Sequence, residues 1–184
     1  PRSVIERAMK LLPHVNFTNA YGLTETSATI CMLGPEDHRS AFNSSDALIK
    51  RRLSSAGRPI PSIELIIKND EGNICLPEEL GNVWVRGEQV SGEYKGIGSK
   101  LDSEGWFPTK DRGFLDSDGY LFIDGRADDV IVRGGENISP GEIEDVVRTH
   151  PNVEDVAAVA VKDIEWGEAV GLVIVASSPI EDDE

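Results

Sequence analysis

The chain is short of cysteine, of histidine and of positive charge, and each shortage removes a class of function. Cys31 and Cys75 are its only cysteines, and their spacing fits neither a zinc site nor a disulfide framework. Two buried thiols in a reducing compartment are expected. His14 and His38 have no partner pattern around them and read as surface or satisfied residues, while His150, just before Pro151, reads as a helix-end residue serving last-turn carbonyls. With 18 Lys and Arg against 33 Asp and Glu the formal charge is −15, so nucleic acid and anionic membrane are repelled rather than bound. No apolar stretch approaches the roughly 20 residues needed to span a bilayer, and no basic segment leads into an apolar run at the N-terminus. What remains is small-molecule chemistry in a cytoplasmic setting.

What is present is a globular composition, 39% apolar and 28% charged over 184 residues, enough for one medium domain or one with a smaller appendage. The chain opens on Pro1-Arg2-Ser3 without an initiator Met and closes on an acidic tail at Glu184, so it is expected to be a piece of a longer protein. Ser3, with Glu6 three residues on, reads as the cap of a first helix that Pro13 stops. Val15 to Ala20 reads as a strand. From Gly34 to Ser55 the pattern is weak, apart from a short basic helix over Ser45 to Leu53.

Strands are expected at Ile63 to Lys68, Gly81 to Arg86, Gln89 to Tyr94 and Tyr120 to Asp124, parted by the turns Asn69-Asp70-Glu71-Gly72, Asp102-Ser103-Glu104-Gly105 and Asp116-Ser117-Asp118-Gly119. The last of these begins like a calcium loop but lacks the further oxygen ligands such a loop needs, so it is read as a turn. A second organised stretch starts at Val130-Ile131-Val132, a short strand, followed by the turn Gly134-Gly135 and a helix. Ser139 reads as the N-cap of that helix, Pro140 as its first residue and Glu142 as the partner in a Ser-x-x-Glu capping box. Ala157 to Val161 and Val170 to Ala176 read as two nearly continuous apolar strands.

One loop carries chemistry. In Asn19-Ala20-Tyr21-Gly22-Leu23-Thr24-Glu25, Gly22 allows a tight bend, Thr24 offers a hydroxyl and Glu25 a carboxylate, the groups that hold phosphate and a hard cation.

Four stretches resemble the adenylate-forming acyl-CoA synthetases. They are Asn-x-Tyr-Gly-x-Thr-Glu at 19–25, Gly57-Arg58-Pro59 with Gly81-Asn82-Val83-Trp84-Val85-Arg86-Gly87, Gly105-Trp106-Phe107-Pro108-Thr109-Lys110-Asp111, and Gly-Arg-x-Asp-Asp-x-Ile at 125–131 with Gly-Gly-Glu-Asn-Ile-x-Pro-x-Glu-Ile-Glu at 134–144. The resemblance implies a mixed α/β chain. Residues 1–127 would close a large N-terminal AMP-binding domain, with a small antiparallel β-barrel subdomain at about 57–125. Residues 128–184 would begin a mobile, truncated α+β C-terminal domain.

The resemblance also implies roles. Asn19 meets the adenine amino group, Tyr21 packs on the base, Gly22 shapes the loop, Thr24 lies by the phosphates and Glu25 holds magnesium. Asp111 receives the ribose hydroxyls, since one carboxylate accepts two hydrogen bonds, and Lys110 departs from the family, where glycine is usual. Arg126 makes a second ribose or phosphate contact, its alternative being an ion pair with Asp124 or Asp129. Asp128 is the hinge, and Gly134 and Gly135 line the passage for the pantetheine arm of coenzyme A.

The implied activity is ligation of a small carboxylic acid to coenzyme A at the expense of ATP, with magnesium. The family's catalytic lysine and its upstream phosphate loop find no match, so the chain alone is expected to be inactive. Two other readings stay open: an amino-acid adenylation domain of a peptide synthetase, and a non-catalytic module that binds a nucleotide or a partner.

Overall fold

The computed structural model describes residues 2–91, 93–94 and 98–177, so the acidic tail and Gly92 lie outside the described residues. Of the strand expected at 89–94, Glu93–Tyr94 is strand, whereas Gln89 to Ser91 are not, Gln89 lying in a turn closed by Val90 N donating to Gly87 O at 3.0 Å. The chain divides into two compact units, Pro1–Ile123 and Asp124–Glu184.

The first unit contains α1 (Arg2–Leu11), β1 (Asn19–Tyr21), β2 (Cys31–Leu33), α2 (Pro35–Asn43), α3 (Ala47–Lys50), β3 (Arg58–Pro59), β4 (Glu64–Lys68), β5 (Gly81–Arg86), β6 (Glu93–Tyr94), β7 (Gly98–Ser99), β8 (Phe107–Leu115) and the start of β9 (Leu121–Arg126). Single 3-10 turns occupy Thr24–Thr26 and Arg51–Ser54. One antiparallel sheet has the order β1-β2-β3, with Asn19 opposite Leu33 and Tyr21 opposite Cys31; another has the order β4-β5-β8-β9. The candidate loop is therefore the connection of the β1-β2 hairpin.

Alternation builds the core. Along β5, Gly81, Val83 and Val85 turn inward while Asn82, Trp84 and Arg86 face outward, as the two-residue period of a strand dictates. Val83 and Val85 pack with Ile30, Cys31, Ile63, Ile67, Phe107 and Leu121. On the outer face Arg86 donates to both oxygens of Glu64 at 2.9 and 2.7 Å, directly across the ladder. A smaller cluster joins Met9 of α1 to Ala41 and Leu53, with Ile5, Phe17 and Phe42 around it.

Several sequence expectations change here. Ser3 lies inside α1 rather than capping it. The strand read over Val15 to Ala20 shrinks to β1. The weak region holds α2, which starts on Pro35 with Glu36 and Asp37 in its first turn and buries only His38 and Ala41. His38 is completely buried, bonded through Nδ1 to Gly34 O at 2.9 Å while its Nε2 has no hydrogen-bond partner. The basic helix breaks into α3 and a 3-10 turn. Cys31 is buried and burial pushes its thiol up to about 12, whereas Cys75 is only half-buried.

Arginines fasten the 3-10 turn at 51–54 to the β8-β9 hairpin. Arg51 stands over the Phe122 ring at 4.9 Å and Arg52 over Tyr120 at 4.4 Å, while Arg52 also pairs with Asp118. Such contacts combine ring attraction with charge pairing.

The second unit contains β10 (Ile131–Arg133), β11 (Glu136–Ile138), α4 (Pro140–Val147), β12 (Val153–Asp163) and β13 (Gly167–Ala176), in a sheet of order β11-β10-β13-β12. Gly134 and Gly135, with φ of 60° and 89°, form the two-residue turn of the β10-β11 hairpin, a left-handed pair that glycine enters without steric cost. The polar strand β11 was not expected, because the stretch reads as strand, turn and helix. Ser139 is the N-cap and Pro140 the first helical residue, but the capping box does not form: the Ser139 hydroxyl donates instead to Asp124 O at 3.2 Å. His150 serves a last-turn carbonyl as expected, its backbone N–H donating to Val147 O at 3.1 Å, while its Nδ1 accepts from the Asn152 N–H at 3.2 Å.

Helix α4 covers one side of β12. Val156 and Ala158 are buried, Glu144 Oε1 accepts from Ala158 N at 2.9 Å, and Arg148 donates to Val156 O at 3.2 Å. On the opposite face Ala157, Val159 and Val161 lie beside Val173, Gly171 and Ala169, and Val159, Val161 and Val173 are 43%, 48% and 61% exposed. No helix of the described residues is long and apolar enough to cross a membrane.

Candidate functional site

The loop after β1 is held by its own backbone and by one glutamine. Ile30 N donates to Tyr21 O at 2.7 Å and closes the hairpin, while Thr26 N and Ala28 N both donate to Leu23 O at 3.1 Å. The Thr26 hydroxyl accepts from Leu23 N and donates to Leu23 O. The Gln89 amide donates to Thr26 O at 2.8 Å and to Thr29 O at 2.7 Å, and Ser91 N donates to Glu25 O at 2.7 Å.

The fold back is so tight that a Cβ on Gly22 would lie 1.7 Å from Ala28 O. Gly22 is thus required by the loop's contact with itself. Ser27 and Ala28 sit at φ of 54° and 86°, a left-handed conformation costly for residues with a Cβ. With Thr26 buried as the pin, Thr24 is left exposed and Glu25 half-buried. Sequence reasoning missed Thr26, one residue past the motif, and also Gln89 and Ser91, because an anchor about sixty residues away has no local pattern.

The second component is a bulge in β8. Asn82 pairs with Arg112 and Trp84 with Pro108, so the three residues Thr109 to Asp111 oppose Val83 alone, and the extra length is absorbed by Lys110 at φ 66°. That left-handed position gives a physical reason why glycine would suit this place. Thr109 donates to Val83 O at 2.9 Å and accepts from Asp111 N at 3.1 Å. The bulge therefore turns both Thr109 and Asp111 inward, 3% and 6% exposed, while Lys110 faces out.

Across from it, the Tyr21 hydroxyl donates to Asp111 Oδ2. Burial first, and then the Asp111 carboxylate, push the Tyr21 phenol well above its ordinary pKa, so it remains a donor at neutral pH. Asn19 and Tyr21 also border an open hollow of about 450 Å³ lined by residues 18–21 and 54–56 and by Ile123. Tyr21, Asp111 and Asn19 are thus brought together, with Thr24 and Glu25 on the adjoining loop.

The remaining expected residues belong to the second unit. Arg126 is exposed at the end of β9, and the side chain of Asp128 lies outside the described residues. Gly134 N donates to Trp166 O at 2.9 Å, and a Cβ on Gly134 would come within 2.8 Å of the Trp166 ring, over which Arg133 also stands at 4.9 Å. Trp166 was not singled out from sequence.

No group of three or more His, Cys, Asp or Glu that could hold a metal occurs among the described residues. An ion such as magnesium takes one or two protein carboxylates and completes its shell with phosphate oxygens and water. Glu25 is the residue that would supply such a carboxylate.

The tyrosine-carboxylate pair thus lies beside the hollow, next to a loop offering a hydroxyl and a carboxylate. Residues 1–95 match the AMP-binding enzyme family, and the chain belongs to that family. It is 37% identical over its whole length to the 2-succinylbenzoate–CoA ligase of Bacillus licheniformis, of which it covers 36%. Among solved structures it is similar to the o-succinylbenzoate CoA synthetase of Bacillus subtilis in complex with its acyl-adenylate intermediate (TM-score 0.81, 31% identity, 100% of this chain and 36% of that one). It is similar too to the same enzyme in complex with ATP and magnesium ion (TM-score 0.79, 31% identity, 98% of this chain and 35% of that one). The chain therefore spans about a third of the length of the relatives it matches.

Proposed function

We propose that this chain is the nucleotide-holding segment of an ATP-dependent carboxylate–CoA ligase. The observation that carries the reading is the hydrogen bond from Tyr21 to Asp111, which joins two motifs far apart in sequence at the rim of the hollow that Asn19 also borders. The Tyr21 ring would form a platform for adenine, with Asn19 at the amino edge of the base. Asp111 would receive ribose hydroxyls and Arg126 would add a ribose or phosphate contact. Binding the nucleotide at both base and sugar fixes where its α-phosphorus sits, a contribution of proximity and orientation.

In the reaction so proposed, an oxygen of the carboxylate attacks the α-phosphorus of ATP and pyrophosphate leaves. The coenzyme A sulfur then attacks the acyl carbon and AMP leaves. Thr24 would donate to phosphate oxygens as negative charge builds on them. Glu25 would hold magnesium, which supplies charge neutralisation at the phosphates when bound.

In the finer assignment, the sheet β4-β5-β8-β9 belongs to an antiparallel barrel subdomain, and residues 128–184 begin a mobile α+β domain hinged at Asp128. Gly134 and Gly135 would line the pantetheine passage. The names of the relatives favour 2-succinylbenzoate, an aryl-bearing carboxylate, over a fatty acid as the substrate.

The test uses the full-length protein encoded by the reading frame that contains this chain, supplied with ATP, magnesium, coenzyme A and 2-succinylbenzoate. Thioester and AMP are expected in equal amounts. Adenylate without thioester would favour the amino-acid adenylation reading, and no turnover with any carboxylate would favour a non-catalytic nucleotide module.

A further inference from the structure

Tyr21 lines the hollow beside Asn19, and the reading above gives a task in nucleotide binding only to its ring. Its hydroxyl reaches Asp111, ninety residues along the chain. A phenylalanine would offer the same platform, so the hydroxyl alone separates the two residues.

The Asp111 backbone is set by the bulge, through Thr109 and the left-handed Lys110. Its carboxylate, however, hangs from rotatable bonds and is only 6% exposed. A buried carboxylate is costly unless donors meet it, and a donor on Oδ2 also fixes which way the group faces.

We infer that the Tyr21 hydroxyl is a positioning residue: it holds the Asp111 carboxylate in the orientation that receives the neighbouring hydroxyls of a ribose, and so sets selectivity for ribonucleotides over deoxyribonucleotides. The inference rests on the reading of Asp111 as the ribose acceptor. It adds that base platform and sugar acceptor are one mechanical unit, because a single side chain serves both. The raised phenol pKa supports it, since the group stays a donor and never becomes a competing anion beside the carboxylate.

The experiment is calorimetric titration of the full-length protein with AMP, 2′-deoxyAMP and 3′-deoxyAMP, for the unaltered enzyme, Tyr21→Phe and Asp111→Asn. The unaltered enzyme is expected to prefer AMP by roughly tenfold or more, the scale of a hydrogen bond to a charged group. Asp111→Asn should abolish the preference. Tyr21→Phe should shrink it by about threefold or more while affinity for the deoxynucleotides changes less, a pattern that general loosening of the fold would not produce.

No preference in the unaltered enzyme, or a preference that survives Asp111→Asn, would sink the reading of Asp111 and the inference with it. A preference lost in Asp111→Asn but intact in Tyr21→Phe would overturn the inference alone. Should Tyr21→Phe fail to fold, a crystal structure of the unaltered protein with AMP decides. The Tyr21 hydroxyl bonded to the carboxylate that carries the ribose supports the inference, and a hydroxyl turned away from it refutes it.

Discussion

The two units are both built on antiparallel sheet and differ in what apolar residues do. In the first, Val83, Val85, Phe107 and Leu121 are at most 3% exposed, packed with Ile30, Cys31, Ile63 and Ile67. In the second, β12 and β13 are more continuously apolar, yet among the described residues Ile131, Val156 and Ala158 are the buried ones. A long apolar strand therefore records a capacity for burial rather than burial itself. The capacity is realised only where another layer lies against the face. It also follows that stability is distributed unevenly, with the first unit drawing on a core and the second on hairpin register and the α4 contacts.

The sharpest way to break this contrast is a matched pair of truncations. Leu121→Ala should cost about 3 kcal/mol in urea unfolding, because a fully buried side chain leaves a cavity. Val173→Ala, on the open face of β13, should cost under about 1 kcal/mol. Equal costs would mean that β13 is covered in solution. Next in size, Gly134→Ala should destabilise the second unit by about 1–2 kcal/mol, since the turn needs φ of 60° and the Trp166 ring occupies the space of the new methyl. Amide exchange should place that loss in β10 and β11, and protection lost across β5 instead would contradict the division. Smallest is Lys110→Gly, which relieves a left-handed residue costing about 1–2 kcal/mol but gives back roughly 0.5–1 in chain entropy. A net gain of about 0.5 kcal/mol in the first unit is expected by thermal melting, and a loss would show that Lys110 contributes more than its backbone strain removes.

Much of the fold was legible where one residue type answers one geometric need. The Gly134-Gly135 pair marked its turn, Pro140 marked the first residue of α4, and the Asp-Gly and Glu-Gly clusters marked connections between strands. Elements whose signal is spread thin were lost. Helix α2 buries only His38 and Ala41 and so has no apolar stripe, and the polar β11 is defined by its partner β10 rather than by its own residues. In the candidate site, the loop at 19–25 could be read from its groups, but the Tyr21–Asp111 contact could not. Ninety residues separate the pair, and their meeting depends on the β1-β2 hairpin and a bulge in β8 that no local pattern announces.

The contacts of α4 with β12 have an outcome of their own. Strand β12 ends its sheet, and from Val156 to Val161 it carries no charge, the kind of rim on which foreign strands zip up. Glu144 takes the Ala158 N–H and Arg148 takes the Val156 carbonyl, so two of the groups that would recruit such a strand are already engaged. An oppositely charged pair one helical turn apart acts as a stopper on the sheet, guarding against fibrous growth while the helix fills the space beside it.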